Sequence, residues 1–63
     1  MSIDRILRRK EVEKVVGLSR SAIYAAMDKG RFPRPIQLGP RAVGWRESAI
    51  TDWMDNQPLS NGW

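Results

Sequence analysis

The stretch GLSRSAIYAAMDKGRFP, residues 17–33, decides how this chain folds. Ser19 stands where a helix N-cap belongs, and Ile23, Ala26 and Met27 recur at the spacing of a buried stripe. Gly30 follows Lys29 at the place of a helix-ending glycine, and the lysine suits the negative end of the helix dipole. The other side of this helix carries Arg20, Ser21, Tyr24, Ala25 and Asp28. A helix face with only a structural role would rather carry Glu and Lys pairs. An arginine, a small hydroxyl and a tyrosine there raise the question of a ligand.

Working outward, RRKEVEKVVG (8–17) predicts a preceding helix, with Val12, Val15 and Val16 on one stripe and Lys10, Glu11, Glu13 and Lys14 in water. Gly17 is placed to end it in a left-handed conformation, with Leu18 as the hydrophobic contact that follows. Two helices joined through Gly-Leu-Ser have helix-turn-helix spacing. Downstream, in RFPRPIQLGPRAVGW (31–45), Pro33 and Pro35 forbid a helix. Ile36 and Leu38 alternate, as do Val43 and Trp45, around a Gly-Pro turn, which predicts a β-hairpin with Pro40 in the turn. Gly39 and Gly44 read as backbone requirements of that hairpin. RESAITDWMDN (46–56) closes the pattern with Ile50, Trp53 and Met54 on a stripe and Glu47 at the positive helix end. Phe32, Trp45 and Trp53 are expected in the core. A strand at Ile6–Leu7 is only weakly signalled.

The expected fold class is therefore mainly α with a small β-hairpin: a winged helix-turn-helix over residues 1–57. PLSNGW (58–63) is expected to be a flexible tail in which Trp63 has no assigned role.

Composition narrows the function. Sixty-three residues make one small domain, of a size that buries only about 60% of its unfolded surface. With no Cys and no His, disulfides and the usual zinc ligands are absent, so the core rests on the 41% hydrophobic content and three tryptophans. Neither a membrane-length apolar run nor a signal-peptide core is present in the sequence, so a cytoplasmic location is expected. Eleven Lys and Arg against seven Asp and Glu give +4. Residues 5–41 carry nearly all the bases, while Glu47, Asp52 and Asp55 make the final helix acidic. Such asymmetry is the footprint of a nucleic-acid binder, although basic domains also bind acidic proteins or membranes.

On a wheel of about 100° per residue, Ile23 and Met27 point inward and Ser21, Tyr24, Ala25 and Asp28 outward, with Arg20 at the boundary near the N-terminus. Base-contacting side chains sit in the N-terminal half of a recognition helix. Arginine reaches guanine in bidentate fashion, serine serves bases or phosphates, and tyrosine offers a phosphate hydrogen bond or a contact to a thymine methyl. Helix 19–29 is thus expected in the major groove, with the wing 36–45 on flanking DNA. Arg41 at the wing tip is expected to meet phosphate or the minor groove, and Lys29, Arg31 and Arg34 to cluster at the corner between helix and wing. Arg8, Arg9 and Lys10 are explained equally well by backbone contact and by solubility.

The ordered set GLSRSAIY, GRFPRPIQLG and RAVGWRESAI, followed by Trp53, resembles the AlpA family of small phage and prophage regulators, with the match running over residues 7–54. That family is in turn similar to excisionases and to the DNA-binding part of MerR proteins. The resemblance implies a MerR-like fold and a sequence-specific, double-stranded-DNA-binding transcriptional regulator that controls integrase expression or prophage excision. Carried over by position, it implies Arg20, Ser21 and Tyr24 as helix contacts and Arg41 as the wing contact, and Ser19 joins them at the helix start. Where many members carry a basic or polar residue after the tyrosine, this chain has Ala25, which thins base readout or shifts it to Arg20 and Asp28.

No catalytic constellation is legible, so no enzyme, no cofactor, no metal and no small-molecule ligand are expected. The alternative is a small protein-interaction module that inhibits a host regulator or integrase through the acidic helix. Neighbouring copies on DNA are a further expected partner, with Glu47, Asp52 and Asp55 of one copy against Arg9 or Lys14 of the next.

Overall fold

The computed structural model describes residues 3–60, in which β1 (Ile6–Leu7), α1 (Arg9–Val16), α2 (Arg20–Asp28), β2 (Ile36–Gly39), β3 (Ala42–Arg46) and α3 (Glu47–Asp55) follow in order. Helix, helix, hairpin, helix appear as the sequence predicts. Trp63 and the end of the tail lie outside the described residues.

The two helix ends expected at glycines are built that way. Gly17 is left-handed at φ 74° and its N–H donates to the Glu13 carbonyl at 2.9 Å. Gly30 is left-handed at φ 69°. Its N–H reaches Met27 at 3.0 Å and the Arg31 N–H reaches Ala26 at 2.8 Å, the pair of bonds that closes a helix and turns the chain sharply. Ser19 caps α2, its Oγ accepting the Ala22 N–H at 3.2 Å.

The weakly signalled strand is real. β1 pairs antiparallel with β3, Ile6 opposite Arg46 and Leu7 opposite Trp45, so β3 is the centre of a three-stranded sheet ordered β1-β3-β2. Two residues carry little periodic signal, which is why the strand reads faintly in one dimension. The turn Pro40-Arg41 joins β2 to β3, but the register shifts between Gln37 and Gly39. That irregularity breaks the expected alternation, and Leu38 stays 44% exposed.

Leu7, Val12, Ile23, Phe32, Trp45 and Ile50 form the buried core, with Val16, Leu18, Ala26, Met27 and Trp53 packed around it. Three expectations need correction. Val15 is 49% exposed, because it falls on the flank of α1 while Val12 and Val16 face the core. Trp53 is half-buried and Met54 exposed, since α3 lies at the edge of the core and only Ile50 reaches its centre. The need for Gly44 extends beyond the hairpin: a Cβ there would lie 3.1 Å from Leu38 Cδ1 in β2, but also 2.5 Å from Ile6 Cγ2 and 3.1 Å from the Leu7 carbonyl oxygen, so its smallness lets β1 close on β3. Gly39 needs no such room, the nearest atom to a Cβ being that of Ala42 at 3.9 Å.

Residues ahead of β1 clamp the far end of the chain. The Asp4 carboxylate accepts the Ser48 N–H at 3.0 Å and the Ser48 hydroxyl at 2.6 Å, capping α3 from 44 residues away. Arg5 adds its carbonyl to the Glu47 N–H at 2.8 Å and its guanidinium to Glu11 at 3.3 Å.

Candidate nucleic-acid interface

The loop after α2 sets the distance between α2 and the hairpin, and two indoles hold it. Trp45 Nε1–H donates to the Pro33 carbonyl at 2.8 Å and Trp53 Nε1–H to the Arg31 carbonyl at 2.6 Å. Phe32, between those carbonyls, packs edge-on against both rings, with centroids 6.4 Å from Trp45 and 4.8 Å from Trp53. Three aromatic residues thereby lock a proline-rich segment that has no secondary structure of its own.

The exposed surface this creates is organised around Tyr24, which is 40% exposed on α2. On one side lies a cleft of about 380 Å³ lined by Arg8, Arg9, Lys10, Tyr24, Arg41 and Val43. It brings the N-terminal end of α1, the middle of α2 and the tip of the hairpin to one place. On the other side, Tyr24, Met27, Asp28, Arg34 and Pro35 line a hollow of about 410 Å³. At the N-terminal end of α2 the Arg20 guanidinium lies over the Tyr24 ring, 5.7 Å from its centroid.

The residues singled out in the sequence thus fall into groups. Arg20, Tyr24, Arg34 and Arg41 share one continuous surface. Ser21 is exposed beside Arg20. Ser19 uses an oxygen lone pair on its cap, which leaves its hydroxyl hydrogen free to donate. Lys29 and Arg31 are exposed but line neither side of Tyr24. Arg8, Arg9 and Lys10, ambiguous in the sequence, join Tyr24 and Arg41 in the cleft.

Charge is distributed in keeping with this. Arg5 and Arg46 pair with Glu11, Glu47 and Asp4, and Arg9 pairs with Glu13 at 3.5 Å. Arg8, Lys10, Arg20, Arg34 and Arg41 have no side-chain ion pair among the described residues, and neither have Lys14, Lys29 and Arg31. The helix ends differ in the same sense. The first turns of α1 and α3 carry Glu11 and Glu47, whereas that of α2 carries no acid. The positive end of the α2 dipole is therefore uncompensated, and it lies beside Arg20. Asp4 shows the opposite situation: hydrogen bonds from the Ser48 hydroxyl and N–H, with Arg46 nearby, hold its carboxyl below the ordinary carboxylate range.

Two consecutive helices joined through a three-residue turn, followed by a hairpin whose tip shares a cationic cleft with the second helix, define a small α/β domain with a cationic face. The chain belongs to the family described as Prophage CP4-57 regulatory protein (AlpA), whose model matches residues 5–58. It is 47% identical over 51 residues to the Uncharacterized protein ORF88 of Enterobacteria phage P4, an alignment covering 81% of this chain and 58% of that protein. The chain thus spans little more than half the length of the phage relative. It is 32% identical to the DNA-binding transcriptional activator AlpA of Escherichia coli (strain K12), over 84% of each chain. No helix among the described residues is long and apolar enough to cross a membrane.

Proposed function

We propose that the chain is a sequence-specific DNA-binding transcriptional regulator of prophage type, without catalytic activity, acting in the cytoplasm. The observation that carries this reading is the cleft shared by Arg8, Arg9, Lys10, Tyr24 and Arg41. The start of α1 and the tip of the hairpin contribute cations to one concave face that α2 lines with Tyr24, an arrangement suited to the phosphates of a duplex backbone. In this reading α1 and α2 are a helix-turn-helix and β2–β3 is a MerR-like wing, all within a domain of residues 1–57 followed by the tail 58–63.

Roles follow from position. Arg20, Ser21 and Tyr24 enter the major groove, with the uncompensated end of α2 directed at the backbone. Ser19 donates its free hydroxyl hydrogen to a phosphate. Arg41 meets flanking phosphate or the minor groove from the wing, and Arg34 supports the far side of Tyr24. Lys29 and Arg31, outside both hollows, add only to the general field. Family membership and the name of the Escherichia coli relative support the same reading, and control of an integrase gene or of prophage excision is its biological form.

Copies bound side by side are part of the proposal. Of the residues expected at such contacts, Glu47 is held by Arg5 at 3.8 Å and Arg9 by Glu13. Asp52, Asp55 and Lys14 have no ion pair among the described residues and are the ones left to meet a neighbour.

The test is selection from a random duplex library, followed by footprinting of the selected sites in prophage DNA. A single recurring motif protected on one major-groove face is expected. Recovery of no motif above background, with no protection of any site, contradicts the proposal. Cooperative filling of adjacent motifs by a protein that sediments as a monomer supports the side-by-side arrangement, and independent filling rejects it.

A further inference from the structure

Arg20 differs from the other arginines of the chain in what it rests on. Arg5, Arg9 and Arg46 lie against carboxylates, which neutralise them. Arg20 lies against the face of an aromatic ring one helical turn away, at 5.7 Å, and has no carboxylate partner among the described residues. An acid would use up the N–H groups of a guanidinium. A ring face takes only the flat side of the group and leaves the N–H edge and the charge available. The tyrosine lines both the cleft that contains Arg41 and the hollow that contains Arg34. Ser21 and Ala25, exposed on the same helix, have short side chains.

Building on the DNA-binding reading above, we propose that Arg20 and Tyr24 act as one reading unit for a single guanine. Arg20 is the base-contacting residue and Tyr24 the residue that positions it. A guanidinium presents two parallel N–H groups to guanine O6 and N7 only when its plane is aligned with the base edge. Free in solvent, an arginine side chain samples many rotamers, and ordering it opposes binding. Held over the Tyr24 ring at 5.7 Å, the guanidinium is kept beside the helix before DNA arrives, and fewer rotamers remain to be ordered on binding. The tyrosine hydroxyl plays no part in this readout. The ring does.

The experiment compares wild type with Tyr24→Phe, Tyr24→Leu and Arg20→Gln, each checked for fold by circular dichroism, in duplex selections and in affinity for the selected site carrying each single base-pair change. Wild type and Tyr24→Phe are expected to share one motif. Arg20→Gln and Tyr24→Leu are expected to lose preference at the same G·C pair, by about ten-fold or more, while preferences elsewhere in the motif stay as they are. Relaxation at a different base pair in Tyr24→Leu overturns the proposal, because Tyr24 then reads its own base. So does a Tyr24→Phe protein as relaxed as Tyr24→Leu, because the hydroxyl is then the contact. A second readout needs no DNA. Ring-current shifts of the Arg20 Cδ protons in the free protein are expected in wild type and Tyr24→Phe and absent in Tyr24→Leu. Unshifted Arg20 protons in the wild type contradict the Arg20–Tyr24 pair itself, whereas failure of every variant and the wild type to select a motif contradicts the DNA-binding reading beneath it.

Discussion

The indole N–H of Trp45 donates to the carbonyl of Pro33 at 2.8 Å. Trp45 is 1% exposed at the centre of the sheet, and Pro33 belongs to the segment that separates α2 from the hairpin. One hydrogen bond therefore ties the core to the spacing of the proposed DNA-binding face. Trp53 makes the parallel bond to Arg31 from a half-buried position.

The two tryptophans are expected to differ in what they hold. A domain of this length has a total stability of about 3–9 kcal/mol, and truncating a fully buried Trp costs about 3–5 kcal/mol. Trp45→Ala should leave little folded protein at room temperature. Trp53→Ala, with half the burial, should cost roughly 2 kcal/mol and keep a cooperative transition. Urea denaturation followed by far-UV circular dichroism separates the two, and equal destabilisation would mean that α3 is as central as β3.

Gly44 is expected to tolerate no side chain. Gly44→Ala places a methyl 2.5 Å from Ile6 Cγ2 and 3.1 Å from the Leu7 carbonyl, so β1 must move. Overpacking of this kind costs about 1–3 kcal/mol. Adding Ile6→Ala to Gly44→Ala should recover part of that loss, since it removes the nearer clash and leaves the contact with the Leu7 backbone. A double mutant no more stable than Gly44→Ala alone would contradict the packing described.

Acid should loosen the clamp between the N-terminal segment and α3. The Asp4 carboxyl titrates below its ordinary value because the Ser48 hydroxyl and N–H, and then Arg46, favour its charged form. A group depressed in the folded state adds stability above its unfolded pKa, about 3.9, and loses it as pH falls through the folded value. Asp4→Ala should therefore lower the Tm by a constant amount above about pH 5, with the difference from wild type shrinking below about pH 4. A difference independent of pH down to pH 2 would show that the bond to Ser48 does not discriminate the charged carboxylate.

What the sequence makes legible here are the features governed by neighbours along the chain. The Ser19 cap, the left-handed Gly17 and Gly30, and the Ile23 and Ile50 stripes are local, and they stand where periodicity puts them. Asp4 was not readable as a cap, because its partner Ser48 lies 44 residues on and no spacing rule joins them. The role of Gly44 hides for the same reason, since the nearest obstructing atom belongs to Ile6 of β1. Leu38 misleads because a register shift is invisible in a run that alternates well. At the proposed site, Arg20 and Tyr24 are legible as outward neighbours on a helix. For Arg8 and Lys10, at the start of α1, the sequence leaves backbone contact and solubility equally open, and the fold groups them with Tyr24 and Arg41.

The central claim is that the cations around Tyr24 bind duplex DNA, and it is tested most directly by the salt dependence of affinity. Fluorescence anisotropy of a labelled duplex, titrated with wild type and with the Arg8→Ala, Arg41→Ala double mutant, gives the slope of log K against log salt. Wild type should fall steeply, with a slope of about −3 to −5 for a handful of phosphate contacts, and the double mutant should be flatter by about two. The loss should be the same on selected and random sequence, because phosphate contacts position the protein without reading bases. A wild-type protein that does not bind duplex at low salt, or a double mutant with an unchanged slope, would contradict the account.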